Sequence, residues 1–274
     1  MTAIEYREKN RMFHECYEKA VRNWISNNKS SYLAENIPYF RDGVICPEIW
    51  FEKNNSFRPL FILKEVSLGV DTLEKLPDFL ETWGHTKTFE FVENPFDDIQ
   101  VGTFRQWRRI VRLAAGLEEI HNYGTTWNYQ KLDLNFKDGG EEYTGNIAGY
   151  KTEQYLHRTN NPTYNSIVKK IAVLELKKIG GGTSVISSLS LATQYYSDHV
   201  KEFQNMLCEQ IELIDPTVIV CLGRECGVCI SEQLTEIKSK ITNCLWIDGY
   251  HHTRSSNVHF YDEPIAKYKQ LLQK

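Results

Sequence analysis

The sequence predicts an α/β protein with a parallel sheet covered on both faces by helices, and three observations predict it. Four short runs, 60–63, 171–176, 217–223 and 244–250, are apolar at nearly consecutive positions, as strands buried on both faces are. Amphipathic helical patterns lie around them over 3–27, 103–115, 190–214 and 224–239, and again from 262 onwards. Strand and helix alternate along the chain, the order that builds a three-layer α/β/α architecture on a central four-stranded parallel sheet. A length of 274 residues accommodates one such domain over 1–274, with an N-terminal helical region over 1–30.

The elements follow in order. Tyr6, Met12, Phe13, Tyr17, Ala20, Val21 and Trp24 recur at near-helical spacing in the first helix. Residues 28–58 read as irregular and contain the segment DGVICPEIW. Leu60 to Leu63 form the first strand, which runs through Lys64-Glu65 into a loop at Gly69. In the helix over 103–115, Thr103 is the N-cap and Gly116 the stop. Phe104, Trp107, Val111 and Ala114 share one of its faces, and Arg105, Arg108, Arg109 and Arg112 share another. Residues 121–165 are polar and rich in Tyr, Asn and Gly, the composition of an insertion or long functional loop. The second strand, Ile171 to Leu176, leads to a glycine-rich turn at Gly180 to Gly182. Val200, Phe203, Leu207, Ile211 and Ile214 line the next helix, which Asp215-Pro216 ends because the residue before proline leaves the helical region. The third strand ends at Gly223, and the fourth opens into His251-His252-Thr253-Arg254-Ser255-Ser256. Pro264 occupies the first turn of the last helix, where its missing N–H is no loss.

Composition narrows the function classes. The net charge of −4 argues against strong non-specific nucleic-acid affinity, so any basic face must be local. The seven cysteines are odd in number and scattered, unlike a secreted disulfide framework. Cys226 and Cys229 form a CxxC without a second pair and read as small apolar residues packing a strand and helix. No metal site and no cofactor are expected, since Walker A, paired CxxC and HExxH motifs are all missing. No stretch approaches the roughly 20 apolar residues of a membrane span. The N-terminus is charged and amphipathic rather than signal-like, so a cytoplasmic protein is expected.

In an open parallel sheet, ligands bind beyond the carboxyl ends of the strands. Four ends converge there, carrying Lys64-Glu65, Glu175 to Lys178, Gly223-Arg224 and His251-His252. In that order, LKEVSLG, VLELKK, VIVCLGREC and YHHTRSS resemble the strand-end motifs of the uracil-DNA glycosylase superfamily, and DGVICPEIWF resembles the segment before its first strand. The resemblance covers about residues 40–272. It implies a DNA glycosylase in which Glu65 positions the attacking water, Glu175 reads the base edge and His251 stabilises the leaving base. Lys64 and His252 adjoin the base-binding positions.

The departures from the family pattern carry information. Val66 and His252 each stand where proline is usual, and Glu175 stands where asparagine is usual. An asparagine amide both donates and accepts, which suits uracil, whereas an ionised glutamate only accepts and suits the exocyclic amino group of cytosine. This reading of Glu175 and the aromatic insertion over 121–165 suit a branch of the superfamily that looks like phage-defence glycosylases removing modified cytosines, including glucosylated hydroxymethylcytosine. Tyr123, Trp127, Tyr129, Tyr143, Tyr150 and Tyr155 offer flat apolar surfaces for such a sugar, or pack the insertion onto the core. Trp83 and Trp107 are candidates to stack on the base.

A glycosylase must flip its nucleotide out of the duplex. The arginine stripe of 103–115 is the first candidate for phosphate contact, with Lys177, Lys178, Thr253, Arg254 and Ser255 nearer the crevice. Lys64 as a Schiff-base nucleophile is the less favoured chemistry. Three alternatives stay open: a non-catalytic sensor of modified nucleic acid on the same fold, a uracil-specific DNA glycosylase, and a hydrolase of free nucleosides.

Overall fold

The computed structural model of the protein describes residues 1–28, 31, 35, 39–67, 88–90, 104–124, 166–167, 169–181, 200–222, 234–250 and 258–273. The first helix, α1 (Ala3–Asn28), opens with a capping box. The Thr2 hydroxyl accepts from the Glu5 N–H at 3.2 Å, and the Glu5 carboxylate accepts from the Thr2 N–H at 2.7 Å. Its buried stripe is Tyr6, Asn10, His14, Tyr17, Val21 and Ile25, whereas Met12 is exposed. Two polar side chains thus occupy the face that the apolar spacing alone assigns to hydrophobic residues.

Residues 39–51 are more ordered than their sequence suggests. They form β1 (Tyr39–Arg41), β2 (Gly43–Val44) and the short helix α2 (Pro47–Trp50). Gly43 sits at φ +138°, and a Cβ there would meet the Tyr6 hydroxyl. That hydroxyl accepts from the Val44 N–H at 2.8 Å. The Trp50 indole N–H reaches the Ile214 carbonyl at 2.8 Å and ties α2 to the far end of α4 (Gln204–Ile214).

The remaining strands are β3 (Pro59–Ser67), β4 (Thr88–Glu90), β5 (Ala172–Gly181), β6 (Val218–Leu222) and β7 (Leu245–Gly249). Among the described residues the sheet has seven strands in the order β4-β1-β5-β3-β6-β7, with β2 beside β1 on β5. The inner quartet β5-β3-β6-β7 is parallel throughout. β1 and β2 run antiparallel to β5, so the sheet is mixed and wider than the expected four strands. These added strands are two or three residues long, too short for an alternating pattern to announce them; the pairing of β1 and β2 with β5, and of β4 with β1, defines them.

Alternation along the strands feeds two cores, one on each face of the sheet. Leu60, Ile62, Ala172, Leu174, Leu176, Ile219 and Cys221 pack with α1 and α4 and with Ile237 of α5 (Thr235–Lys240). Phe61, Leu63, Val173, Val218, Val220, Leu222 and Ile247 pack on the opposite side with α3 (Phe104–Tyr123) and α6 (Glu263–Leu272). α3 continues past Gly116 because Leu117 and Ile120 extend its buried face. It stops at Gly124, whose φ of +61° and bond to the Ile120 carbonyl at 2.9 Å terminate it. α4 ends as its Asp-Pro predicts, with Asp215 left-handed at φ 52°. α6 carries Pro264 in its first turn and follows a π-turn over Val258–Asp262. Among the described residues no helix is long and apolar enough to cross a membrane.

Candidate functional site at the carboxyl ends of the parallel strands

The chain leaves β3 for β5 on one side and later lays β6 on the other, so strand order reverses around β3. Ligand crevices in open α/β sheets lie beyond the carboxyl ends at such a point. Leu174, Ile62, Cys221 and Asp248 form one rung across the quartet. Glu65 lies three residues beyond Ile62, and its Cα partner is Lys177. Counting along the sequence, Arg224 and His251 stand three residues beyond Cys221 and Asp248. Glu175, paired with Leu63, lies one step beyond this rung and Glu65, paired with Lys177, lies three, so neighbouring strands carry the two glutamates near their carboxyl ends.

His251, His252, Thr253, Arg254 and Ser255 lie outside the described residues, as do Cys226, Cys229, Trp83 and most of the 121–165 insertion. Lys64 and Glu65 are placed by their backbone in the last turns of β3, and Arg105 and Arg108 by theirs at the start of α3. Glu175 is buried on β5, with Leu63 as its partner on β3. Alternation sets it on the face of Val173, towards α3 and α6.

Two expected DNA contacts are corrected. Lys178 is fully buried, and its ammonium donates to both carboxylate oxygens of Asp42 at 2.8 and 2.5 Å. Arg109 is buried against the π-turn, its guanidinium 4.3 Å from the centre of the Phe260 ring and 5.6 Å from that of Tyr261. Arg112 is half-buried, and both guanidiniums oppose the upward push that burial exerts on the Tyr261 hydroxyl. The stripe is divided because the apolar arc of a helix packed on a sheet and a terminal helix is wider than a pattern of Phe104, Trp107, Val111 and Ala114 implies. Glu118, further along α3, pairs with Lys170 at 2.7 Å rather than with the arginines.

Around Asp42 the structure assembles a polar cluster that sequence reasoning did not single out. Besides Lys178, the Asp42 carboxylate accepts from the Gln210 amide and from the Glu175 backbone N–H, each at 2.5 Å. Its main-chain carbonyl accepts from His14 Nε2 at 2.8 Å and from the Asn10 amide at 3.4 Å. Burial holds the His14 imidazole near a pKa of about 4, against the pull of Asp42, so it is neutral at pH 7. With its proton on Nε2, Nδ1 accepts from the Tyr39 hydroxyl at 3.0 Å. Burial also lowers the Lys178 ammonium and raises the Tyr39 phenol. Two carboxylates, Asp42 and Glu175, act on that one ammonium. The available signal was the placement of Asn10 and His14 between Tyr6 and Tyr17 on one helical stripe, together with an Asp-Gly just before a strand.

Among the described residues no group of three or more His, Cys, Asp and Glu side chains is arranged to hold a metal ion. No protein-family model, curated protein or solved structure matches the chain.

Proposed function

We propose that the chain is a DNA glycosylase that hydrolyses the N-glycosidic bond of a flipped-out base, with modified cytosine as its substrate class. The observation that carries this reading is the parallel pairing of β3 with β5, which brings Glu65 and Glu175 towards the carboxyl ends of neighbouring strands. His251 follows the end of β7 by two residues in the sequence, and β6 is the strand between β7 and β3. The uracil-DNA glycosylase-like arrangement of the four motifs, described from the sequence, supports the same assignment.

In this mechanism Glu65 orients a water against C1′ and takes its proton as the carbon–oxygen bond forms. The electron pair of the breaking N-glycosidic bond passes to the base, where His251 donates to the oxygen on which charge develops. The products are an abasic sugar and the free base. Glu175 accepts from the exocyclic amino group of a cytosine-type base. Arg105, Arg108, Arg112, Lys177, Thr253, Arg254 and Ser255 are the phosphate-binding candidates that the burial of Arg109 and Lys178 leaves in place.

The test is base release from DNAs containing uracil, cytosine, 5-hydroxymethylcytosine or glucosylated 5-hydroxymethylcytosine. Abasic sites from a modified cytosine are expected, abolished by Glu65→Gln and slowed about 10²–10³-fold by His251→Ala. Release of uracil alone would keep the enzyme class and sink the Glu175 argument. Binding of every substrate without release would point to a sensor instead.

A further inference from the structure

β5 is paired on one side by β3 along nearly its whole length, but on the other side its partners are interrupted. Val173 is opposite Gly43 of β2, and the next paired position, Ile179, is opposite Tyr39 of β1. Residues 174–178 of β5 thus face only the three residues 40–42, and the ladder carries a surplus on the β5 side. Glu175 lies in that stretch, and its N–H is directed into the gap. A buried amide without an acceptor is costly, so something other than strand backbone must receive it.

The Asp42 carboxylate receives it, at 2.5 Å. The same carboxylate is held from β5 by Lys178 and from α4 by Gln210, while α1 grips the Asp42 carbonyl through His14 and Asn10. Three elements converge on one residue, and it is fully buried. A neutral amide oxygen accepts at most two hydrogen bonds, whereas the four contacts from the ammonium, the Gln210 amide and the backbone use both oxygens of a carboxylate. Buried ion pairs contribute little net stability compared with apolar packing, which makes geometry the better account of why charge is placed here.

We infer that Asp42 is the positioning residue for Glu175: by accepting its backbone N–H in the gap of the β5 ladder, Asp42 sets where the Glu175 carboxylate meets the base, and so sets base preference. This rests on the glycosylase reading above. Asp42 touches no substrate; it acts through the β5 backbone.

The experiment compares kcat/KM for a modified-cytosine DNA and a uracil DNA in the wild type, Asp42→Asn and Gln210→Met. The ratio of the two values cancels any change in the folded fraction, which a merely structural role would alter. Asp42→Asn is expected to shrink the preference for modified cytosine by about tenfold, the scale of one lost charge-assisted hydrogen bond. Gln210→Met loosens Asp42 without removing the Glu175 contact and is expected to lower the unfolding temperature while leaving the ratio within about twofold. If Asp42→Asn fails to fold, Asp42→Ala/Lys178→Met removes the stranded charge together with the acceptor of the Glu175 N–H. An unchanged ratio in a folded Asp42 variant would overturn the inference and leave the glycosylase standing. A wild type that releases no base from either DNA would overturn the glycosylase reading, and the inference with it, and is distinguished by that control alone.

Discussion

Lys178→Met is the perturbation whose size follows most directly from the structure. Methionine keeps the length and most of the volume of the lysine stem, so packing against the α1 and α4 side of the sheet changes little. What is lost is the ammonium, which lies 2.8 and 2.5 Å from the two oxygens of a carboxylate with no solvent exposure. Asp42 would then keep only the Gln210 amide and the Glu175 N–H as donors to its carboxylate. Removing one partner of a buried pair costs about 3–5 kcal/mol, because the other charge stays buried without compensation. For a chain of this size that corresponds to a fall in Tm of roughly 6–20 °C, at about 2–4 °C per kcal/mol. Urea unfolding followed by far-UV circular dichroism should show the loss as a lower midpoint with an unchanged slope. Asp42→Asn/Lys178→Met should recover part of the loss, giving a coupling of about 1–3 kcal/mol in the double-mutant cycle. A single-variant cost below about 1 kcal/mol, or strict additivity in the cycle, would refute a dry, charged pair at the centre of this cluster.

The other predictions concern the residues around it. His14 carries a pKa depressed by burial from 6.5 to about 4, so the unfolded chain binds its proton first as pH falls. Its contribution is complete above pH 6.5 and is lost towards pH 4, by about 3 kcal/mol. A His14→Gln variant should therefore show a flatter stability profile over that window, and an equally steep one would count against a buried neutral imidazole. Gly43→Ala should cost about 1–3 kcal/mol in urea unfolding, because its φ of +138° and the Tyr6 hydroxyl both exclude a Cβ. Arg109→Ala should lower stability by about 2 kcal/mol through loss of the contact with Phe260 and Tyr261. The salt dependence of DNA binding should be left alone. A salt slope reduced by about 1 in that variant would instead place Arg109 on a phosphate.

The class of the protein was legible in its sequence because the strands of the inner quartet are apolar at consecutive positions, and only a sheet covered on both faces accepts such segments. β6 and β7 fall where their runs put them, and α4 ends at its Asp-Pro. The ends of α3 and β5 were not legible. Gly116 is tolerated inside a helix once Leu117 and Ile120 have a core to enter, and β5 runs on through Lys178 because that lysine has Asp42 to meet. β1 and β2 are too short to carry a period, and they exist as strands only because β5 lies beside them. The sequence by itself determined the alternating elements and the strand positions at which Glu65 and Glu175 appear, since local periodicity and spacing are properties of nearby residues. Only the tertiary structure decided which basic residues are buried and which acid holds Glu175. Lys178 and Asp42 are far apart in the chain, and the free energy of a charge depends on what surrounds it rather than on its neighbours in sequence.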